Sequence, residues 1–124
     1  MTINKEDYSL GDWVNIPELP GNAQITKLEK YEVWTDRLNE LSYDEIEPIL
    51  LTDEILKKNG FYKYQEDEEQ WVLGGLGTIL LKLDGHFWAR ITSMPVSIMF
   101  VHELQHLLRR LGIREFKVED DETN

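Results

Sequence analysis

The chain has 124 residues, which is the usual size of one small domain. Its formal net charge is −11, from 24 acidic and 13 basic side chains. This balance disfavours direct binding of nucleic acid, because phosphate contacts need clustered Lys and Arg. The chain has no cysteine, which excludes disulfides, thiol catalysis and Cys-ligated zinc.

The sequence gives no sign of membrane insertion or export. No apolar run approaches the length of about 18 residues that a transmembrane helix needs. The start of the chain carries Lys5, Glu6, Asp7 and Asp12 and has no apolar stretch typical of a secretory signal. We therefore expect a cytoplasmic protein that makes no membrane contact.

The first third of the chain predicts short strands separated by turns. Gly11-Asp12 is typical of a turn, and Trp13-Val14 of the start of a strand. The mixture of β-branched and aromatic residues in 23–34 indicates one or two strands. Residues 35–44 are polar and predict a turn or a short helix.

The middle of the chain predicts a short strand followed by a helix. Residues 46–51 resemble a strand, and Thr52 is a good N-cap for a helix over about 53–59. Lys57-Lys58 in the last turn and Asn59-Gly60 behind it are typical of a helix end. The residues expected to face inward are Ile55, Leu56 and Phe61.

The following stretch predicts an antiparallel meander. Asp84-Gly85 is the strongest hairpin signal in the chain, because both residues tolerate the positive φ angles of a tight turn. Alternating or continuous apolar residues predict strands at about 61–64, 70–73, 78–83, 87–92 and 96–99.

The second predicted helix spans about 100–111. Its apolar residues recur at helical spacing, and Gly112 follows as a stop signal. The apolar face is formed by Val101, Leu104, Leu107, Leu108 and Leu111. We expect an α+β fold, with a small antiparallel β-sheet or an SH3-like partial barrel packed with the two helices. Residues 1–117 are expected to form a single domain, and residues 118–124 an acidic flexible tail.

One motif in the second helix suggests metal chemistry. His102, Glu103 and His106 match H-E-x-x-H, in which two His side chains bind zinc and the Glu acts as a general base. A catalytic zinc site needs a third protein ligand, which the sequence does not clearly supply. The pattern also places His102 and His106 on the polar helix face, beside Arg109 and Arg110. We expect no metal, no cofactor and no catalytic residue, with a zinc metallopeptidase as the alternative.

Two blocks of sequence resemble a known family. Residues 46–61 are similar to a "P-I-x-L-T-x-E-x-L-x-K-x-G-F" block, and residues 100–105 to a late "V-H-x-L-Q" helix. Both blocks occur in a family of small proteins from Bacteroidetes genomes and their prophages. The resemblance implies a phage or prophage origin in a bacterial host cell. It transfers no catalytic residue, because the family has no established activity.

Charge and resemblance together favour a non-enzymatic protein that binds and modulates a basic, nucleic-acid-handling host protein. The specific hypothesis is an anti-CRISPR inhibitor of a CRISPR effector or its ribonucleoprotein, since viral inhibitors of host defence are often small and acidic. A structural or regulatory phage protein is a further alternative. The candidate partner-binding residues are Asp44, Glu45, Glu47, Tyr62, Tyr64, Asp67, Glu68, Glu69 and Trp71.

Overall fold

The computed structural model describes residues 8–19, 21–64, 69–74, 78–90 and 96–118. Within them the chain forms two antiparallel sheets, of four and five strands, and two helices. The predicted α+β class is therefore confirmed, and the strands are divided between two separate sheets. The described residues fall into two compact units. The first contains residues up to Leu50 together with those from Phe100 onward, and the second contains Leu51–Met99.

The four-stranded sheet of the first unit curls on itself. Its strands, in the order in which they pair, are β1 (Trp13–Asn15), β2 (Asn22–Leu28), β3 (Glu32–Thr35) and β4 (Leu41–Ser42). A short 3₁₀ helix, Tyr43–Glu45, follows β4. The backbones of Asn15 and Glu47 then exchange hydrogen bonds of 2.9 and 2.8 Å, which brings the chain back beside β1. We call this curled sheet the half-barrel.

The half-barrel encloses its own apolar core. Alternate residues of β2 and β3 are buried while their neighbours are more exposed, as expected for strands with one covered face. The core residues are Tyr8, Val14, Ile16, Ala23, Ile25, Val33, Leu41 and Ile46.

The second unit begins with helix α1 (Asp53–Lys58). The Thr52 Oγ1 atom accepts a hydrogen bond of 3.2 Å from the Ile55 N–H, which caps the helix. Gly60 has a φ of +87°, so the chain leaves the helix through a conformation that favours glycine. The predicted helix is thus confirmed with its end at Lys58, and Ile55, Leu56 and Phe61 are buried as expected.

The five-stranded sheet is the predicted meander. Its strands pair in chain order: β5 (Phe61–Lys63), β6 (Gln70–Leu73), β7 (Thr78–Leu83), β8 (His86–Ala89) and β9 (Val96–Ile98). Asp84 and Gly85 form the tight β7–β8 turn, with φ angles of +52° and +81°. The predicted continuation of β8 over residues 91 and 92 lies outside the described residues.

Helix α2 (Val101–Arg110) belongs to the first unit. The Glu103 Oε1 atom accepts a hydrogen bond of 2.9 Å from the Phe100 N–H at the start of the helix. Leu104 and Leu108 are buried as predicted, but His102 and Gln105 are buried as well, each 3% exposed. The prediction that His102 lies on a solvated face is therefore wrong, because the buried side of α2 is wider than its leucine stripe. Among the described residues no helix is long and apolar enough to cross a membrane.

Two other predictions differ from the structure. Residues 46–51 are not a strand: they make only isolated backbone pairs, Asn15–Glu47 and Leu50–Phe100. Pro48 lies between the two pairs and has no N–H to extend a ladder. Val118, the first residue of the predicted tail, is buried at 6% exposed. Residues 119–124 lie outside the described part, so flexibility of the tail and a single domain over 1–117 stay predictions.

Removal of the α2 leucine side chains tests the importance of this helix. Leu104 and Leu108 are 0% and 2% exposed, so we expect Leu104→Ala or Leu108→Ala to lower the free energy of unfolding by about 2–5 kcal/mol. The exposed neighbour Arg110 provides the control, and Arg110→Ala should change it by less than about 0.5 kcal/mol. Urea unfolding measures both. Equal effects of the leucine and arginine changes would contradict the packing of α2.

Candidate functional site

A buried carboxylate joins the turn before β1 to helix α2. The Asp12 side chain is 0% exposed, and its Oδ2 atom accepts hydrogen bonds from the Ser9 N–H at 2.8 Å and from His106 Nε2 at 2.7 Å. The Oδ1 atom forms an ion pair with Arg109 Nη1 at 2.8 Å. A buried carboxylate requires such compensation, because an isolated ion is strongly disfavoured away from water.

The turn that carries Asp12 is itself held by side chains and backbone. Gly11 has a φ of +85°, and its N–H donates to the Ile25 carbonyl at 2.8 Å. The Gln105 side chain accepts from the Trp13 N–H at 2.9 Å and donates to the Gly11 carbonyl at 3.1 Å. A Cβ atom at Gly11 would lie 3.2 Å from Arg109 Nη2, so glycine permits the close approach of α2.

The three residues of the H-E-x-x-H motif are engaged in contacts within the first unit, and the His102 and His106 rings also meet edge to face with centroids 5.7 Å apart. His106 bonds to Asp12, and the Glu103 carboxylate caps its own helix. The buried His102 ring lies between the rings of Tyr8 and Phe100, with centroid distances of 4.9 and 5.9 Å. Among the described residues, no group of three His, Asp or Glu side chains is arranged to hold a metal ion. The geometry therefore favours a structural role for the motif, with Asp12 as the contact that the sequence did not reveal.

The outside of the half-barrel is acidic. Between Tyr8 and Leu50 the chain carries nine acidic and three basic side chains, and every one of these acids except Asp12 is exposed. The predicted partner-binding residues Asp44, Glu45 and Glu47 all lie here and are exposed. The stretch from Tyr8 to Leu50 therefore presents a negative surface, whereas residues 100–118 of the same unit carry four basic and two acidic side chains.

A tyrosine joins two acidic segments of the half-barrel. The Tyr43 hydroxyl donates a hydrogen bond of 2.7 Å to the Glu29 carbonyl. Glu32 pairs with Ser42 across β3 and β4, and Asp44 and Glu45 follow Ser42 after one intervening residue, Tyr43. The β2–β3 turn and the 3₁₀ helix are thus neighbours. We call Glu29, Tyr31, Glu32, Asp44 and Glu45 the Tyr31 surface.

The remaining predicted residues lie in the second unit. Tyr62 and Tyr64 are 53% and 62% exposed, and Glu69 is exposed, so these three are accessible. Trp71 is 0% exposed, so its prediction as an exposed aromatic anchor is wrong. It lies on the covered face of the sheet, opposite Leu80 of β7. Asp67 and Glu68 lie outside the described residues. The two groups of candidate residues therefore belong to different units.

Three residues of the Tyr31 surface, Glu29, Tyr31 and Glu32, are not among the binding residues predicted from the sequence. Tyr31 is 73% exposed, more than any other exposed large hydrophobic residue of the described chain. Its position between Lys30 and Glu32 in a turn was the available signal, because an aromatic residue in a charged turn has no core to enter. Only the pairing of β3 with β4 reveals its acidic neighbours.

Comparison with models of protein families, with curated proteins and with solved structures finds no match to this chain.

Removal of the buried contacts of Asp12 should destabilise the protein. We expect His106→Ala to lower the free energy of unfolding by about 1–3 kcal/mol, because the carboxylate loses one of its donors. Asp12→Ala should lower it by more, about 3–5 kcal/mol, because all three contacts are lost together. A His106 side chain that only faced solvent, as its place on the polar helix face suggested, would instead cost less than about 0.5 kcal/mol when removed.

Thermal and urea unfolding of the two variants provide the measurement. Arg110→Ala is a matched control, since Arg110 follows Arg109 on the same helix but is exposed. A His106→Ala variant as stable as Arg110→Ala would show that the Asp12–His106 hydrogen bond does not stabilise this unit.

Proposed function

We propose that this chain is a non-enzymatic protein that binds a basic protein through its acidic half-barrel and thereby modulates that partner. The supporting observation is the concentration of exposed acids between Tyr8 and Leu50, where eight exposed acidic side chains stand against three basic ones. Clustered charge of one sign raises the association rate with a partner of the opposite sign. The same charge repels free DNA and RNA, so the partner would be engaged as a protein.

The acidic side chains extend from a well-braced backbone. The Asp36 carboxylate accepts from the Gln24 N–H at 3.0 Å, and the Thr35 hydroxyl bonds with both the N–H and the carbonyl of Leu38. Glu45 Oε1 accepts from the Ser42 N–H at 2.9 Å. A surface held in this way loses little conformational entropy on binding, which favours affinity for a partner of matching shape.

A basic protein that handles nucleic acid is the kind of partner that this charge favours. Such proteins carry Lys and Arg in grooves that otherwise contact phosphates. A CRISPR effector nuclease with its guide RNA is the first specific candidate, as proposed from the phage resemblance and the acidic composition. Its DNA cleavage, measured with and without this protein, tests that candidate directly.

The general proposal is tested by affinity capture with matched variants. The wild-type protein is immobilised, exposed to a nuclease-treated Bacteroidetes lysate, and the captured proteins are identified by mass spectrometry. We expect a basic, nucleic-acid-handling protein. Glu32→Lys with Asp44→Lys should slow association with the purified partner about tenfold at low salt, and less at high salt.

The control is Glu54→Lys with Glu69→Lys, which makes the same change in net charge on the second unit. We expect this control to slow association by less than about threefold, because the charges lie outside the half-barrel. Equal slowing by both pairs would contradict a role for the half-barrel. An acidic partner, or retention of free RNA or DNA at physiological salt, would contradict the proposal as a whole.

A further inference from the structure

We propose that Tyr31 is the anchor of this interaction and that the Tyr31 surface docks onto apolar side chains flanked by Lys or Arg on the partner. This inference rests on the proposed function and names the surface that performs it. Tyrosine is one of the residue types that most often dominate binding energy at protein interfaces, because it combines a large apolar ring with a polar end.

The ring is presented to solvent at the tip of a closed turn. The Glu29 N–H donates to the Glu32 carbonyl at 2.8 Å, which closes the β2–β3 turn around Lys30 and Tyr31. The Tyr43 hydroxyl holds the same turn from the 3₁₀ helix. Tyr31 therefore projects from a fixed backbone although it is 73% exposed.

The surroundings of the ring favour a cationic partner. Glu32 follows Tyr31 in sequence, and Glu29 precedes it with Lys30 between them. Asp44 and Glu45 lie shortly after Ser42, which pairs with Glu32. The ammonium group of Lys30 lies 5.2 Å from the centroid of the Tyr31 ring, and Lys27 forms an ion pair of 3.3 Å with Glu29. The negative charge left for a cationic partner therefore comes from Glu32, Asp44 and Glu45. Apolar area at the centre and charge around it is the usual arrangement of a protein interface.

The second unit offers a matched alternative for comparison. Tyr62 is also an exposed tyrosine, at 53%, but it lies on edge strand β5 of the five-stranded sheet. Its two neighbours in β5 are Phe61 and the basic residue Lys63, and β5 contains no acid. Tyr62 thus provides an exposed aromatic ring on a described strand that carries no acidic side chain of its own.

The test uses a displayed library of random linear peptides as the probe, selected on the immobilised full chain. We expect enrichment of Lys- and Arg-containing peptides that also carry apolar residues. Binding of the enriched peptides should weaken about 30-fold or more in Tyr31→Ala, as at an interface hot spot. It should change by less than about threefold in Tyr31→Phe, which keeps the ring, and in Tyr62→Ala. Thermal melting confirms that each variant is folded.

The other outcomes separate the two proposals. Basic peptides that bind Tyr31→Ala as well as wild type would overturn the Tyr31 anchor while leaving the acidic half-barrel as a binding surface. A selection without enrichment of basic peptides would overturn both proposals. A dimer in size-exclusion chromatography that is lost in Tyr31→Ala would show that a second copy of this chain, and not a basic partner, covers the surface.

Discussion

The buried carboxylate of Asp12 is the constraint on which the first unit depends. A carboxylate at 0% exposure is stable only when donors surround it, and here they come from both sides. Ser9 donates from the preceding turn, while His106 and Arg109 approach from α2. The helix therefore cannot rotate or slide relative to the half-barrel without leaving a buried charge uncompensated.

This constraint accounts for the contacts that the side chains of the H-E-x-x-H motif make within the first unit. His106 and Arg109 are three residues apart on one side of α2, so both reach the same carboxylate. Glu103 is occupied at the helix start, and His102 packs among aromatic rings. In this arrangement the polar side chains of the helix hold it to its own unit. The exposed acidic surface lies elsewhere.

The exposed acidic side chains form the outer surface of the half-barrel. The same short turns that curl the sheet also carry its acids, because connections between strands lie at the surface. Backbone hydrogen bonds and the Tyr43 hydroxyl fix the turns, so the backbone from which the acids and Tyr31 project has a defined position. A preorganised charged surface with one exposed aromatic ring is suited to recognition of a protein of opposite charge.

Local sequence signals were sufficient for several elements. Thr52 marks the start of α1, and Asn59-Gly60 marks its end. Asp84-Gly85 makes the β7–β8 turn, and the leucine spacing of α2 predicts its buried stripe. Each of these signals acts within a few residues along the chain, so a single sequence reveals it.

Other features required the tertiary structure. Asp12 and His106 are 94 positions apart in the chain, and Asn15 and Glu47 are 32 apart, yet their contacts decide how α2 sits and how the sheet curls. Burial of His102 and Trp71, and the approach of the β2–β3 turn to the 3₁₀ helix that carries Asp44 and Glu45, depend on contacts between separate segments. The sequence by itself determined the acidic charge and the local elements. The tertiary structure alone decided which polar side chains are buried and which acids share a surface, because both depend on contacts between distant parts of the chain.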